Sequence, residues 1–192
     1  MSGPRSPKRS ARSREKLPDG LLYQEDFLSA DEEGRLLAEI RRLPLEEAKY
    51  KSFTARRRVA AFGSSYDFET NVLGPAPEIP PFLLPLKRRA ADLIQAGEET
   101  IEHALVNEYR PGTELGWHRD IGAFGIVVGV SLGGSCRMRF RRYPPQKGEK
   151  IFVLELAPRS VYVLRDEIRW RWQHSVARTK ELRYSITFRT SR

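Results

Sequence analysis

Hydrophobic and polar positions change period about halfway along the chain. In "SADEEGRLLAEIRRL" (29–43), Leu36, Leu37, Ile40 and Leu43 recur at three- and four-residue spacing, which predicts a helix with one buried side. Ser29 and Glu32 stand at capping-box spacing at its start. "FLLPLKRRAADLIQAG" (82–97) predicts a second helix ending at Gly97, and the Pro/Gly-rich "LGPAPEIPP" (73–81) before it predicts a loop. From about residue 103 the period becomes two. "HALVNEYR", "FGIVVGVSL", "CRMRFRR", "KIFVLEL", "SVYVLRD" and "ELRYSITFR" predict short strands separated by Gly, Pro or charged breaks. "PPQKGEK" is the clearest hairpin loop among them. Helices followed by at least six strands predict an antiparallel barrel or jelly roll with helices packed outside.

The last of these strands has two unlike faces. Tyr184, Ile186 and Phe188 share one with Leu182 just before them; Arg183, Ser185, Thr187 and Arg189 share the other. The first face suits a core. The second sets two permanent cations and two hydroxyls in one row, a set able to grip a dianion.

Composition narrows the setting. The 192 residues, 40% hydrophobic and 31% charged, fit one folded domain with a short extension. No apolar run approaches the roughly 18 residues of a membrane span. The single cysteine, Cys136, excludes an internal disulfide framework and fits a reducing compartment, so a cytoplasmic location is expected. Residues 1–18 open with "MSGPRSPKRSARSREK", six Lys/Arg with almost nothing apolar, which predicts a disordered basic arm ahead of a domain spanning 19–192. The formal net charge of +9 points to polyanionic partners.

Three histidines bear the candidate chemistry: His103, His118 and His174. In "GWHRD", His118 and Asp120 are two apart and share a side if extended; His174 lies far downstream in "WRWQHSV", just before the last strand. Two imidazoles and one carboxylate, two adjacent and the third remote, is the ligand set of a non-haem Fe(II) facial triad. Zinc is a competing metal for such a set. An Fe(II) oxygenase of this kind also needs a 2-oxo acid, whose far carboxylate calls for a buried arginine with hydroxyl and amide donors. Arg183, Ser185 and Arg189 supply such groups, and Asn107 and Tyr109 of "LVNEYR" share a face that can meet the same ligand.

"NEYRPGTELGWHRD", "WQHS" and "RYSITFR", in that order, resemble the AlkB family of Fe(II)/2-oxoglutarate dioxygenases. The similarity covers roughly residues 20–192 and is strongest from 104 onward. It implies an α+β, mainly β, fold: a double-stranded β-helix (jelly-roll) barrel with N-terminal flanking helices and a nucleotide-recognition lid. It further implies that His118, Asp120 and His174 bind iron and are the catalytic centre, and that Asn107, Tyr109, Arg183, Ser185 and Arg189 bind 2-oxoglutarate. By the same analogy Arg183 meets the far carboxylate and Arg189 the one beside the keto group.

"FTARRRVAAFGSSYDFET" looks like the family lid, making Phe68 the candidate for stacking on a flipped base, with Tyr66 beside the pocket and Arg56, Arg57 and Arg58 as a phosphate clamp. The competing reading makes Phe53, Phe62, Tyr66 and Phe68 the core of a β-hairpin and the arginines a solvated face. Two positions depart from the family pattern. Ser185 stands where an Asn is usual, and Ile121, Gly122 and Ala123 follow Asp120 where nucleic-acid demethylases often carry an acidic residue. The implied function is oxidative dealkylation of alkylated bases in DNA or RNA by a monomer using Fe(II), 2-oxoglutarate and O2. The alternatives are the same chemistry on a protein or a modified tRNA nucleoside, a catalytically dead nucleic-acid-binding barrel, and a zinc hydrolase.

Overall fold

The computed structural model describes residues 16–50, 53–67 and 72–192. In chain order the first half holds β1 (Leu21–Gln24), α1 (Ala30–Ile40), β2 (Glu46–Tyr50), β3 (Phe53–Phe62), β4 (Ser64–Asp67), β5 (Val72–Pro75) and α2 (Leu84–Ile94). The second half holds β6 (Ile101–Tyr109), β7 (Leu115–His118), β8 (Phe124–Gly133), β9 (Cys136–Arg142) and β10 (Phe152–Leu156). It ends with β11 (Val161–Leu164), α3 (Asp166–Arg171), β12 (Trp172–Val176) and β13 (Arg183–Ser191). Seven strands form one antiparallel sheet in the order β1-β11-β8-β13-β6-β3-β2. Four form a facing sheet, β10-β9-β12-β7, and β4 pairs with β5 in a separate hairpin. The fold is a jelly roll with helices outside, as expected.

Helix α1 begins where the capping box places it. The Ser29 backbone N–H donates to Glu32 Oε2 (2.7 Å) and the Glu32 N–H donates to Ser29 Oγ (3.2 Å). Leu36 and Ile40 bury against the larger sheet together with Leu86, Ala90 and Ile94 of α2. The sheet presents Val106, Val128, Val130, Ile186 and Phe188 to this layer. Each Leu, Ile or Phe so buried contributes roughly 1.5–3 kcal/mol. A second core lies between the sheets, built from Tyr109, Val127, Met138, Phe140, Leu156, Tyr162 and Val176. Strand β13 divides between the two: Tyr184, Ile186 and Phe188 belong to the helix-side core, so its other face looks into the barrel.

Three expectations need correction. Helix α2 ends at Gln95 and not Gly97, because Gln95 takes the left-handed conformation (φ 56°) while the Ala96 N–H closes onto Ala91 O. The segment 73–81 is not all loop, since Val72–Pro75 pairs with Ser64–Asp67. Leu17 packs against the inter-sheet core, so packing starts ahead of the boundary drawn at residue 19. The arm through residue 15 lies outside the described residues, as does Phe68.

Candidate active site and metal centre

Register brings the remote histidine to its partners. Strand β12 pairs with β7 so that His174 lies directly across from His118, and the two rings sit 4.2 Å apart. Asp120 follows two residues after His118, and its Oδ2 is 3.5 Å from His174 Nε2. One ligand atom from each of the three lies within 4.8 Å of the others. The side chains of Asp120 and His174 are only 6% and 10% exposed, whereas His118 is half-buried.

The protonation states suit a cation. His118 Nδ1 stands 2.9 Å from the Gly116 carbonyl, which can only accept, so Nδ1 carries the proton and Nε2 is left to ligate. Burial, aided by neighbouring His118, pushes the His174 pKa down to about 3, and burial likewise lowers His118. Both imidazoles are therefore neutral at neutral pH, the form that binds metals. Burial alone would raise the Asp120 carboxyl, yet the Arg189 guanidinium holds it well below the usual carboxylate range. Arg189 does so from Nε (2.9 Å) and Nη2 (2.8 Å), both on Oδ1, so Oδ2 stays turned toward the histidines.

Beside this triad the polar face of β13 lines a cavity. Arg183, Ser185, Thr187 and Arg189 share it with Asn107, Tyr109, Arg57 and Tyr162, and with the apolar Leu115, Val127, Met138, Leu156 and Val176. Arg183 is almost wholly buried (1% exposed) with its guanidinium 5.0 Å from the centre of the Tyr109 ring. Its Nε donates to Ser131 Oγ (3.1 Å), but its Nη1 has no hydrogen-bond partner. A buried cationic donor left over in this way costs free energy unless an anion meets it. A carboxylate-bearing ligand fits that vacancy in bonding, and the triad fits a divalent transition metal. Ser185 Oγ accepts from Asn107 Nδ2 (3.3 Å), so the hydroxyl standing at the usual Asn position is tied into the same network.

The arginine run of β3 splits by strand alternation. Arg57 turns inward, buried, and donates from Nη1 to Asn107 Oδ1 at 2.6 Å. Arg58 faces outward as a fork on Glu108, 2.7 and 2.8 Å, which Tyr184 and Arg110 also approach. Only Arg56 is exposed. The three do not form one clamp: an extended backbone sends neighbours to opposite faces. Tyr66 sits half-exposed on β4 and does not line the cavity, and Phe62 belongs to the helix-side core.

Sequence reasoning passed over three residues of the site. Ser131 could have been noticed as a lone hydroxyl in an apolar strand. Tyr162 lies opposite Gly129, where a Cβ would meet its ring at 2.1 Å, so the glycine makes room for it; neither residue alone signals this. Burial raises its phenol pKa, keeping it a neutral donor. Arg169 of α3 donates to the carbonyls of Gly125 (2.8 Å), Ile121 (2.7 Å) and Phe124 (2.6 Å), fastening the loop that carries Asp120.

Residues 20–189 match the family described as the 2OG-Fe(II) oxygenase superfamily. The uncharacterized protein L905 of Acanthamoeba polyphaga mimivirus is 29% identical over 191 residues, covering 92% of this chain and 87% of that one. The alkylated DNA repair protein ALKBH8 homolog of Arabidopsis thaliana is 30% identical over 187 residues; the match takes in 84% of this chain and 51% of the relative, about half its length. Among solved structures, OsALKBH1 superposes with a TM-score of 0.75 at 18% identity, over 92% of this chain and 99% of that one, a likeness of fold.

Proposed function

The chain belongs to the 2OG-Fe(II) oxygenase superfamily, among AlkB-like proteins, and from that premise we propose that it dealkylates N-alkylated bases in DNA or RNA. It is an Fe(II)/2-oxoglutarate-dependent dioxygenase, with 2-oxoglutarate and O2 as co-substrates. The observation that carries the chemistry is the buried triad beside an orphaned Arg183 Nη1. Nucleic acid as substrate is supported by a relative described as an alkylated DNA repair protein and by the formal net charge of +9.

When bound, iron and 2-oxoglutarate supply oxygen activation: the oxo acid ends as succinate and CO2 while one substrate C–H becomes C–OH. His118, Asp120 and His174 would hold the metal. Arg183 would pair with the far carboxylate as a planar fork, with Tyr109 against its guanidinium and Ser131 fixing its Nε. Arg189, already on Asp120 Oδ1, would meet the carboxylate beside the keto group, with Asn107 and Ser185 completing the polar wall. Val127, Met138, Leu156 and Val176 give the cavity an apolar wall that would help exclude water from it. A hydroxylated N-alkyl group then breaks its C–N bond, the hydroxyl proton passing to nitrogen and the carbon leaving as an aldehyde. Phe68 and Tyr66 remain our candidates beside the base, and Arg56, of the β3 run, for a phosphate. Residues 1–18 would add affinity through charge.

The test is mass spectrometry of methylated and etheno-modified oligonucleotides incubated with Fe(II), 2-oxoglutarate and ascorbate, beside protein and tRNA substrates. Dealkylated oligonucleotide is expected, single strands ahead of duplexes because no unpairing energy is needed. Modification of protein alone would leave only the oxygenase chemistry standing.

A further inference from the structure

Strand β9 alternates as "CRMRFRR". Cys136, Met138 and Phe140 bury between the sheets, which sends Arg137, Arg139 and Arg141 to the outer face of the smaller sheet. Two of these guanidiniums are braced. Arg139 donates from Nε to Ser175 Oγ (3.0 Å) and lies 5.2 Å from the centre of the Trp117 indole. Arg141 donates from Nε to Gln173 Oε1 (2.9 Å) and lies 4.3 Å from the same ring. Each bond uses the inner nitrogen, which leaves the four outer donors of each guanidinium for another acceptor. Among the described residues no carboxylate lies within ion-pairing distance of Arg137, Arg139 or Arg141, whereas neighbouring Arg142 is paired with Glu167 (2.6 Å) and Glu149 (3.7 Å).

Like charges repel, so arginines held in one row are a cost that a polyanion relieves, less at Arg137, which stands across from Glu155 of β10, than at Arg139 and Arg141. Alternate residues of a strand are about 7 Å apart, close to the spacing of successive phosphates along an extended polynucleotide. Position adds to the argument: Trp117 is next to His118, and its strand β7 is the edge of the sheet, beside the loop bearing Asp120. Arg119 continues the basic surface past that edge, stacked 4.2 Å from the Tyr143 ring.

We propose that Arg139 and Arg141, braced on Trp117, together with Arg137 in the same row form a phosphate-binding track for the single-stranded polynucleotide whose base the site acts on. The track rests on the nucleic-acid reading above and adds to it a path for the flanking backbone over the outside of the smaller sheet. Phosphate contacts fix register and carry no sequence information, so this face holds the strand without choosing the base.

The experiment is a salt titration of binding to a labelled single-stranded oligothymidylate, read by fluorescence anisotropy on the full chain. The variants are Arg137→Gln/Arg139→Gln/Arg141→Gln and the corresponding triple lysine variant. Losing three phosphate contacts should flatten the plot of log affinity against log salt by about two, at roughly 0.7 per contact for a single strand. Lysine keeps the charge and should keep the slope. An unchanged slope in the glutamine variant, with wild type binding normally, would overturn the track and leave the nucleic-acid reading intact. Equal weakening by glutamine and lysine would show that charge is not the cause and would also overturn it. If wild type ignores every oligonucleotide but binds polyglutamate through these arginines, the face takes acidic polypeptides and both readings fall.

Discussion

Arg183 is the residue on which co-substrate binding turns. Its burial, its single Nε bond and its unmet Nη1 describe a cation waiting for a carboxylate. Arg183→Ala should raise the KM for 2-oxoglutarate about tenfold or more, since a charge-assisted bond contributes roughly 1.5–3 kcal/mol. Arg183→Lys should restore it only in part, because an ammonium has no planar fork. Steady-state succinate release measures both. Arg189 has a second duty, as the cation that keeps Asp120 ionised. Arg189→Ala should therefore also weaken iron binding and shift its pH midpoint upward, which Arg183→Ala should not do. Titrating Fe(II) anaerobically at several pH values separates them. The two arginines were legible in the sequence because strand alternation is a local property. The inward turn of Arg57 was equally local, and was missed by reading "RRR" as a block.

At the scale of elements, the site depends on how β8, β11 and α3 support it. Gly129 leaves space that the Tyr162 ring fills, so Gly129→Val should force that ring into the cavity. Thermal stability should fall and 2-oxoglutarate binding should fail together, the second followed by calorimetry. Wild-type affinity in a folded Gly129→Val variant would show that the ring can move elsewhere. Arg169 works from the far side, with its side chain buried among loop carbonyls. Arg169→Met removes those donors while keeping most of the volume, and each buried acceptor left unmet costs about 1–3 kcal/mol. A stability loss of about 3 kcal/mol by urea unfolding is expected, with faster iron release because Asp120 sits on the loosened loop. Neither residue announces itself in the chain. A glycine in a strand and an arginine in a short helix acquire meaning only from what lies across from them.

For the molecule as a whole, pH exposes the burial of histidine. His103 is held neutral, its pKa lowered to about 3 by burial and by nearby Arg189, with Nδ1 donating to the Ser64 carbonyl (2.8 Å). An unfolded histidine titrates near pH 6.5. Below that value the unfolded chain takes up a proton that the folded one refuses, so stability is lost as pH falls from about 6.5 toward 3. Each such histidine contributes up to roughly 1.4 kcal/mol per pH unit. His103→Gln should flatten the dependence of the urea midpoint between pH 6.5 and 5, above the range in which carboxylates titrate. Metal removal should leave that slope unchanged or make it shallower, because His174 and His118 take up protons on unfolding whether or not a metal held them neutral in the fold. A wild-type midpoint that does not move across that interval would contradict the burial of all three.

The sequence by itself determined what depends on near neighbours along the chain. The period of apolar positions set helices before strands, Ser29 and Glu32 fixed where α1 begins, and alternation along β13 assigned one face to the core and the other to a ligand. The order of motifs identified the family, and the family implied the metal and its co-substrate. Tertiary structure alone decided which residues stand across from one another. The pairing of β12 with β7 seats His174 against His118, the pairing of β11 with β8 seats Tyr162 over Gly129, and packing of α3 brings Arg169 to the Asp120 loop. It also supplied Asn107 as the partner of Arg57 and Glu108 as that of Arg58, and gathered Arg139 and Arg141 on one indole. The physical reason is range: propensity and side-chain direction act over a few residues, whereas register between distant strands is chosen by the burial of the whole core at once.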